Sequence, residues 1–341
     1  LMEFKEIEFR GMTLTEEDLI QLFYYKFTET PLLKRMDAVK DYFIDSWETL
    51  KGRNISEDDQ EMLQMKFDKM YTTKDIYTIY NWMLDDCGCD LLPEVPYEKR
   101  KLPYEDVFPM LYLKYRLSGG NSTHKNIKHL VIDEMQDYTY LQYTILESLF
   151  HCRMTILGDR AQTLDTKQQD VLRFLPKLLG REIRTIEIKK SYRNTLEIAR
   201  YAEKVSGVSD LELLDRHGKE VVEKTFNTDT ELLDELVCRL KCPGDFETAA
   251  LITTTEEEAF DLSRLLKLRG INVSYVDRNS SAFKKGLTVT TFYLAKGLEF
   301  DQVFALRGAK ENPLKNQAEY ICATRALHEL YVYEIADSLA K

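Results

Sequence analysis

The chain has 341 residues, 44% of them hydrophobic and 31% charged, and a net charge of −11. That balance is typical of a soluble globular chain with room for about two domains. It excludes a helical membrane protein, because no apolar run reaches the ~18 residues a span needs, and the start, Leu1-Met-Glu-Phe-Lys-Glu, lacks a signal-peptide core. The acidic total argues against tight sequence-independent nucleic-acid binding, which draws on phosphate contacts, and favours a protein partner. The cysteines Cys87, Cys89, Cys152, Cys238, Cys242 and Cys322 lack zinc-ribbon spacing. They are expected to be reduced thiols in a cytoplasmic protein.

Residues 1–118 read as mainly helical. Thr15-Glu-Glu-Asp18 has the pattern of a capping box and precedes Leu19, Leu22, Phe23 and Phe27 at helical spacing. Pro31 can open a second helix toward Leu50, with Leu32, Met36, Val39 and Phe43 on one face. Ser56-Glu-Asp-Asp59 caps a third and Thr72-Thr-Lys-Asp75 starts a fourth, whose Met and aromatic stripes predict a core. A proline-punctuated connector over residues 86–103 leads to a helix near Tyr104–Leu117, and Ser118-Gly-Gly-Asn-Ser-Thr-His-Lys125 reads as a surface loop.

From Lys128 onward strands and helices alternate, which predicts parallel α/β architecture. Strands are expected near 129–133, 153–157, 183–188, 248–253, 272–276, 286–291, 302–306 and 329–334. Helices are expected at 139–150, 194–205, 229–240, 255–269 and 314–326. A change of character near 180–190 suggests a domain boundary close to Ile186.

The chemistry concentrates where these strands end. Leu130-Val-Ile132 reads as a strand buried on both faces, and it stops at Asp133 and Glu134. In open α/β sheets ligands bind beyond the carboxyl ends of strands. Two acids there can hold Mg²⁺ on a nucleotide and orient the attacking water, or simply cap the next helix. Met154-Thr-Ile-Leu-Gly-Asp159 is a second short strand, and Gln162 beyond it can reach a phosphate or a water held by its neighbour. Tyr192 and Arg193 precede a helix with Asn194 as its cap. Lys296-Gly297 forms a turn after the strand at 286–291, with Glu299 an isolated acid. Arg325 closes a helix before the last strand. Taken singly, each of these has an ordinary structural explanation.

Taken in order they do not. Asp-Glu-x-Gln-Asp, Gly-Asp-x-x-Gln, Tyr-Arg, Ala-Lys-Gly-Leu-Glu-Phe and Ala-Thr-Arg-Ala resemble motifs II to VI of superfamily 1 helicases of the UvrD/Rep type, over roughly residues 128–335. The segments Leu102–Lys114, Asp137-Tyr138, Ser191-Tyr-Arg193 and Tyr293–Asp301 look most like the HelD branch, the helicase-IV-like proteins associated with RNA polymerase. The resemblance implies a RecA-like P-loop NTPase fold. Residues 1–118 would be a helical insertion of the first domain, 119–186 the remainder of that domain, and 187–341 a complete second RecA-like domain. It implies ATP and Mg²⁺ as ligands. Asp133 would hold the metal through water, and Glu134 would activate the hydrolytic water. Gln162 would sense the γ-phosphate, and Arg193 and Arg325 would reach that phosphate. Tyr192 would stack on adenine, Glu299 would bond the ribose, and Gly297 would lie on the nucleotide side. The implied partners are single-stranded or junction DNA, or an RNA polymerase complex.

Two departures qualify the resemblance. The chain holds no Gly-x-x-x-x-Gly-Lys-Ser/Thr segment, whose amides and lysine cradle phosphates. The family carries that segment N-terminal to the motifs seen here. The chain is therefore expected to be the C-terminal part of a longer protein, unable to hydrolyse ATP alone and left with exposed apolar sheet edges. Secondly, Gln162-Thr-Leu-Asp-Thr-Lys-Gln-Gln169 lacks the aromatic residues that stack on single-stranded bases in the UvrD type, and Phe292-Tyr293 stands where that type has a histidine. The missing stacking residues and the net charge of −11 weaken strand unwinding and favour the remodelling of a protein–nucleic-acid complex. The rival readings are a true DNA helicase and a non-enzymatic, degenerate binding module.

Overall fold

The strands of residues 248–335 are largely buried on both sides, and each side feeds a different core. A computed structural model describes residues 1–120, 124, 126–164, 171–180, 183–207, 212–241, 246–280, 285–308 and 313–336. Cys242, most of the 120–125 loop and residues 165–169 lie outside the described residues. The backbone divides into two units, Leu1–Val131 with Thr139–Thr155, and Ile132–Tyr138 with Ile156–Lys341.

The first unit opens with a hairpin that the sequence reading did not anticipate, β1 (Ile7–Phe9) and β2 (Met12–Leu14), paired antiparallel. Arg10 (φ 46°) and Gly11 (φ 81°) supply the two left-handed residues of its tight turn. Five helices follow: α1 (Glu16–Gln21), α2 (Arg35–Lys51), α3 (Glu57–Asp68), α4 (Ile76–Asp86) and α5 (Tyr104–Ser118). Thr15 and Asp18 form the expected reciprocal capping box, and Ser56 and Asp75 cap α3 and α4. Leu19, Phe23, Val39, Phe43, Trp47, Leu63 and Phe67 close one core with the hairpin. Tyr77, Tyr80, Leu84 and Leu92 close a smaller one against Met110 and Leu113 of α5.

β3 (His129–Ile132) and β4 (Arg153–Ile156) pair with each other, and α6 (Tyr140–Leu149), opened by a capping box at Thr139, lies between them in sequence. The expectation of a strand buried on both faces is not met. Val131 is 61% exposed and Leu157 is exposed as well. Among the described residues β3 pairs with β4 alone, and the strand buries Ile132 while leaving Val131 uncovered.

In the second unit, α7 (Val171–Leu179) is a helix for which the sequence reading named no bounds. The strand expected at 183–188 does not form. Ile186 and Ile188 are 71% and 80% exposed, and regular pairing begins only at β5 (Lys190–Ser191), which runs parallel to β6 (Glu212–Leu213). Alternating isoleucines suit a strand, but a strand also requires a neighbour. Beyond α8 (Leu196–Ser206) come β7 (Val222–Phe226), α9 (Asp229–Lys241), β8 (Thr248–Thr253), α10 (Glu256–Leu268) and β9 (Ser274–Tyr275). The unit ends with β10 (Gly286–Thr291), β11 (Phe300–Arg307), α11 (Lys315–Arg325) and β12 (Ala326–Ile335).

Six of these strands form one parallel sheet in the order β7-β12-β11-β8-β10-β9. Ala250, Ile252, Val303, Ala305 and Val332 point to the core that includes Ile198 and Tyr201 of α8 and Ile321 of α11. Their neighbours Leu251, Phe304, Tyr331 and Tyr333 point to the opposite core, with Leu236 of α9 and Leu266 of α10. Burial on both faces is what a parallel sheet between helical layers requires. It places the carboxyl ends of all six strands along one edge. Among the described residues, no helix is long and apolar enough to cross a membrane.

Candidate functional site

The acids Asp133 and Glu134 stand where β3 stops. Glu134 takes a left-handed backbone (φ 53°, ψ 48°), which costs a non-glycine residue about 1–2 kcal/mol. The turn holds it in place. Asp133 Oδ1 accepts the Glu134 N–H at 2.8 Å, Met135 N–H donates to Leu157 O at 2.8 Å, and Asp137 N–H donates to Glu134 O at 3.0 Å. Gln136, which was assigned no role from sequence, is buried beneath. Its Nε2 donates to Glu134 Oε2 at 2.7 Å and its Oε1 accepts the Asp159 N–H at 3.1 Å. The Glu134 carboxylate is thus fixed by a neighbouring strand end.

Gly158 permits this approach. A Cβ on it would lie 2.4 Å from Gln136 Oε1 and 2.7 Å from the Met135 backbone nitrogen. The side chain could move, but the backbone nitrogen cannot move without opening the Glu134 turn. Gly158→Ala is therefore expected to destabilise the protein by about 1–3 kcal/mol in urea unfolding, the usual cost of forced overpacking. An unchanged midpoint would show that the turn yields freely.

Asp159 anchors the next layer. Its carboxylate accepts from Ala161 N–H (3.0 Å), Gln162 Nε2 (2.9 Å) and the Tyr320 hydroxyl (2.8 Å). Burial first, and then the Asp159 charge, push the Tyr320 phenol well above its ordinary pKa, so it stays a donor. Gln162, buried and oriented by Asp159, presents Oε1 to Arg325 Nη2 at 3.2 Å.

Arg325 is 2% exposed at the end of α11. Nη1 donates to Leu298 O (3.3 Å) and Nη2 also reaches Thr324 Oγ1 (3.2 Å), while the buried Nε–H has no hydrogen-bond partner among the described residues. Burial lowers its pKa, the nearby Arg193 charge lowers it further, and Glu134 and Glu299 oppose the shift. Those same groups are the ones a sequence reading singles out, here within electrostatic reach of one guanidinium. A buried donor without an acceptor costs about 1–3 kcal/mol and calls for an explanation.

Arg193 does not point at a vacant position. Its Nε pairs with Glu299 Oε1 at 2.8 Å. Tyr192 is exposed, with Lys190 Nζ 5.8 Å from its ring centroid. Gly297 (φ 77°) supplies the left-handed residue that ends the turn after β10. Lys296, which stands inside the Ala-Lys-Gly-Leu-Glu-Phe motif, has an almost wholly buried side chain. It donates to Asp137 Oδ2 at 2.5 Å and to Gln162 O at 3.0 Å, and lies 4.0 Å from Glu134 Oε2. Asn194 does not cap α8. Thr195 is the cap residue, and Asn194 is turned toward α11.

Sequence reasoning thus missed Gln136, Asp137, Asp159, Lys296 and Tyr320. All but Tyr320 stand inside the motifs it recognised, and their chemistry as donors and acceptors was the available signal. Among the described residues, no three His, Cys, Asp or Glu side chains gather as a protein-only metal cage. Mg²⁺ does not need one, since it commonly takes one or two carboxylates, substrate phosphates and water. Hard oxygen donors at Asp133 and Glu134, and a guanidinium at Arg325 that feels the Glu134 charge, are groups of the kind a magnesium polyphosphate takes.

No protein-family profile and no curated protein matches the chain. Among solved structures it is similar to the C-terminal domain of a possible DNA helicase from Lactobacillus plantarum, at 26% identity. That match covers 42% of this chain and 88% of that one, with a TM-score of 0.36. It is also similar to the helicase of PRRSV, at 16% identity over 77% of this chain and 46% of that one, with a TM-score of 0.36. The chain therefore spans about half the length of the viral helicase.

Proposed function

We propose that this chain carries half of an ATP-hydrolysing centre, from a RecA-like superfamily 1 helicase or translocase resembling the HelD branch. The observation that carries the reading is Arg325, a buried guanidinium whose Nε–H is unmet and whose Nη2 is joined through Gln162 to the layer that orients Glu134.

Asp133 is exposed at the strand end and would hold Mg²⁺ through water. When bound, the metal neutralises charge on the phosphates. Glu134, fixed through Oε2 by Gln136, keeps Oε1 for the proton of the water that attacks the γ-phosphorus. Arg325 Nε, and Arg193 once released from Glu299, would stabilise the charge that builds on the equatorial oxygens, a contribution of roughly 10³–10⁵ in rate for such arginines. Glu299 then becomes free to accept from a ribose hydroxyl, Tyr192 offers an exposed ring for adenine, and Gly297 allows close approach at the same end of the site. Gln162 touches Arg325 and, through its carbonyl, Lys296, so a change at the phosphate would pass to both strand-end turns.

No cradle of backbone amides for the β-phosphate is present in the sequence. The chain mixed with MgATP is therefore expected to bind it only weakly and to release no phosphate above a protein-free blank. Mg²⁺-dependent phosphate release that disappears in Glu134→Gln would overturn the half-site reading. The net charge of −11 and the missing stacking aromatics favour a protein–nucleic-acid complex, such as RNA polymerase on DNA, as the working partner over bare single-stranded DNA. Comparing stimulation of the full-length protein's ATPase by single-stranded DNA and by polymerase separates the two.

A further inference from the structure

The turn that carries Arg193 is fastened on both sides to the segment that carries Arg325. Asn194, buried, donates through Nδ2 to Ala326 O (2.6 Å) and Ala323 O (3.3 Å). These carbonyls bracket Arg325 in sequence, at the point where α11 gives way to β12. A helix end leaves carbonyls without intrahelical donors, and here a side-chain amide from another element meets them. On the other side, Arg216 Nη1 donates to the Arg193 carbonyl (3.1 Å), while Nη2 contacts His328 Nδ1 (3.0 Å) on β12. The Arg216 carbonyl in turn accepts the Leu196 N–H at 2.8 Å. Gly218 lets this segment close, because a Cβ there would lie 2.5 Å from Thr195 Cγ2. Neither Asn194 nor Arg216 touches Glu134, Gln162 or Glu299 in any of these bonds.

We propose that Asn194 and Arg216 are positioning residues that hold the Arg193 backbone in register with Arg325, so that the two guanidinium groups address one polyphosphate together. The inference rests on the polyphosphate reading of the site, but its geometric part can be tested without a ligand. Two like charges close together repel, and a long arginine side chain is mobile. Setting their separation therefore falls to the backbone turns at their roots, and these are the atoms the two residues grip.

The test uses the chain labelled with ¹⁵N-arginine, with the Nε–H signals of Arg193 and Arg325 assigned by substitution and followed without ligand and during titration with magnesium tripolyphosphate. Asn194→Ala is expected to shift both signals in the free protein and to weaken tripolyphosphate binding about tenfold. Arg216→Ala, at an exposed position that leaves the fold intact, is expected to shift the Arg193 signal and weaken binding about threefold. In an Arg193→Ala background, Asn194→Ala is expected to cost less than it does alone, because the residue it positions is gone. Unmoved signals in both variants, or a loss of affinity that is the same with and without Arg193, would overturn the proposal. Should Asn194→Ala fail to fold, the signals of Arg216→Ala decide. If tripolyphosphate moves no arginine signal in the unmodified chain, the polyphosphate reading falls, while the ligand-free shifts still decide whether the clamp exists.

Discussion

Arg325→Ala is expected to weaken MgATP binding to this chain by at least about tenfold, since a hydrogen bond from a charged donor contributes roughly 1.5–3 kcal/mol. Loss is expected even though much of Arg325 is already engaged. Leu298 O, Thr324 Oγ1 and Gln162 Oε1 occupy its terminal nitrogens, and the unmet Nε–H is what a phosphate oxygen would satisfy. Arg325→Lys is expected to fail nearly as badly. An ammonium group cannot span Leu298 O and Gln162 Oε1 as a planar fork does, and it presents no Nε–H. Arg193→Ala is expected to cost less, because Arg193 must first leave Glu299. The measurement is an isothermal or NMR titration of each variant with MgATP. Equal affinity in Arg325→Ala and the unmodified chain would remove Arg325 from the binding site.

Arg307→Met is expected to be the most damaging single substitution for stability outside the apolar cores. Arg307 ends β11 and pairs with Glu319 of α11 (2.9 Å), Glu334 of β12 (2.8 Å) and Glu223 of β7 (3.2 Å), and reaches the Tyr201 hydroxyl of α8 at 3.2 Å. Burial works against its charge, but the bonds to Glu319 and Glu334 outweigh this and push its pKa up. One cation thus neutralises three carboxylates, and removing it leaves like charges facing each other in a half-buried space. Removing one partner of a buried pair costs about 3–5 kcal/mol, and partial exposure here reduces that to roughly 2–4. Urea unfolding at neutral pH measures it. Adding Glu319→Gln to Arg307→Met is expected to recover part of the loss, because it removes the most buried of the stranded charges. No recovery would mean that the loss comes from the packing of the arginine stem instead.

Much of the fold was legible in the sequence because its signals are local. The runs 248–253, 302–306 and 329–334 are rich in apolar residues and 286–291 in β-branched ones, and the strands form there. Thr15, Ser56 and Asp75 announce helices because each bonds a backbone N–H two or three residues away. The order of the motifs singled out Asp133, Glu134, Gln162, Arg193, Glu299 and Arg325, whose roles belong to the proposed function. Where the signal was weak the reading failed. β7 has a largely polar, exposed edge, so its five residues carry little alternation. At 183–188 the alternation is present but no strand lies beside it.

What the tertiary structure alone decided is how the reactive groups are held. Lys296 meets Asp137 across 159 positions, Arg325 meets Gln162 across 163, and Tyr320 meets Asp159 across 161. No spacing rule reaches that far, because such pairs form only when the turns after β3 and β4 pack against the turn after β10 and against α11. Asn194 shows the contrast within one residue. Read locally it is a helix cap, whereas in the folded chain its amide holds carbonyls 129 and 132 residues away. Local periodicity and motif order determined which elements form and which side chains are chemically able. Long-range packing determined which of those side chains are buried, paired or left with a donor unmet, and those are the conditions on which the proposed chemistry depends.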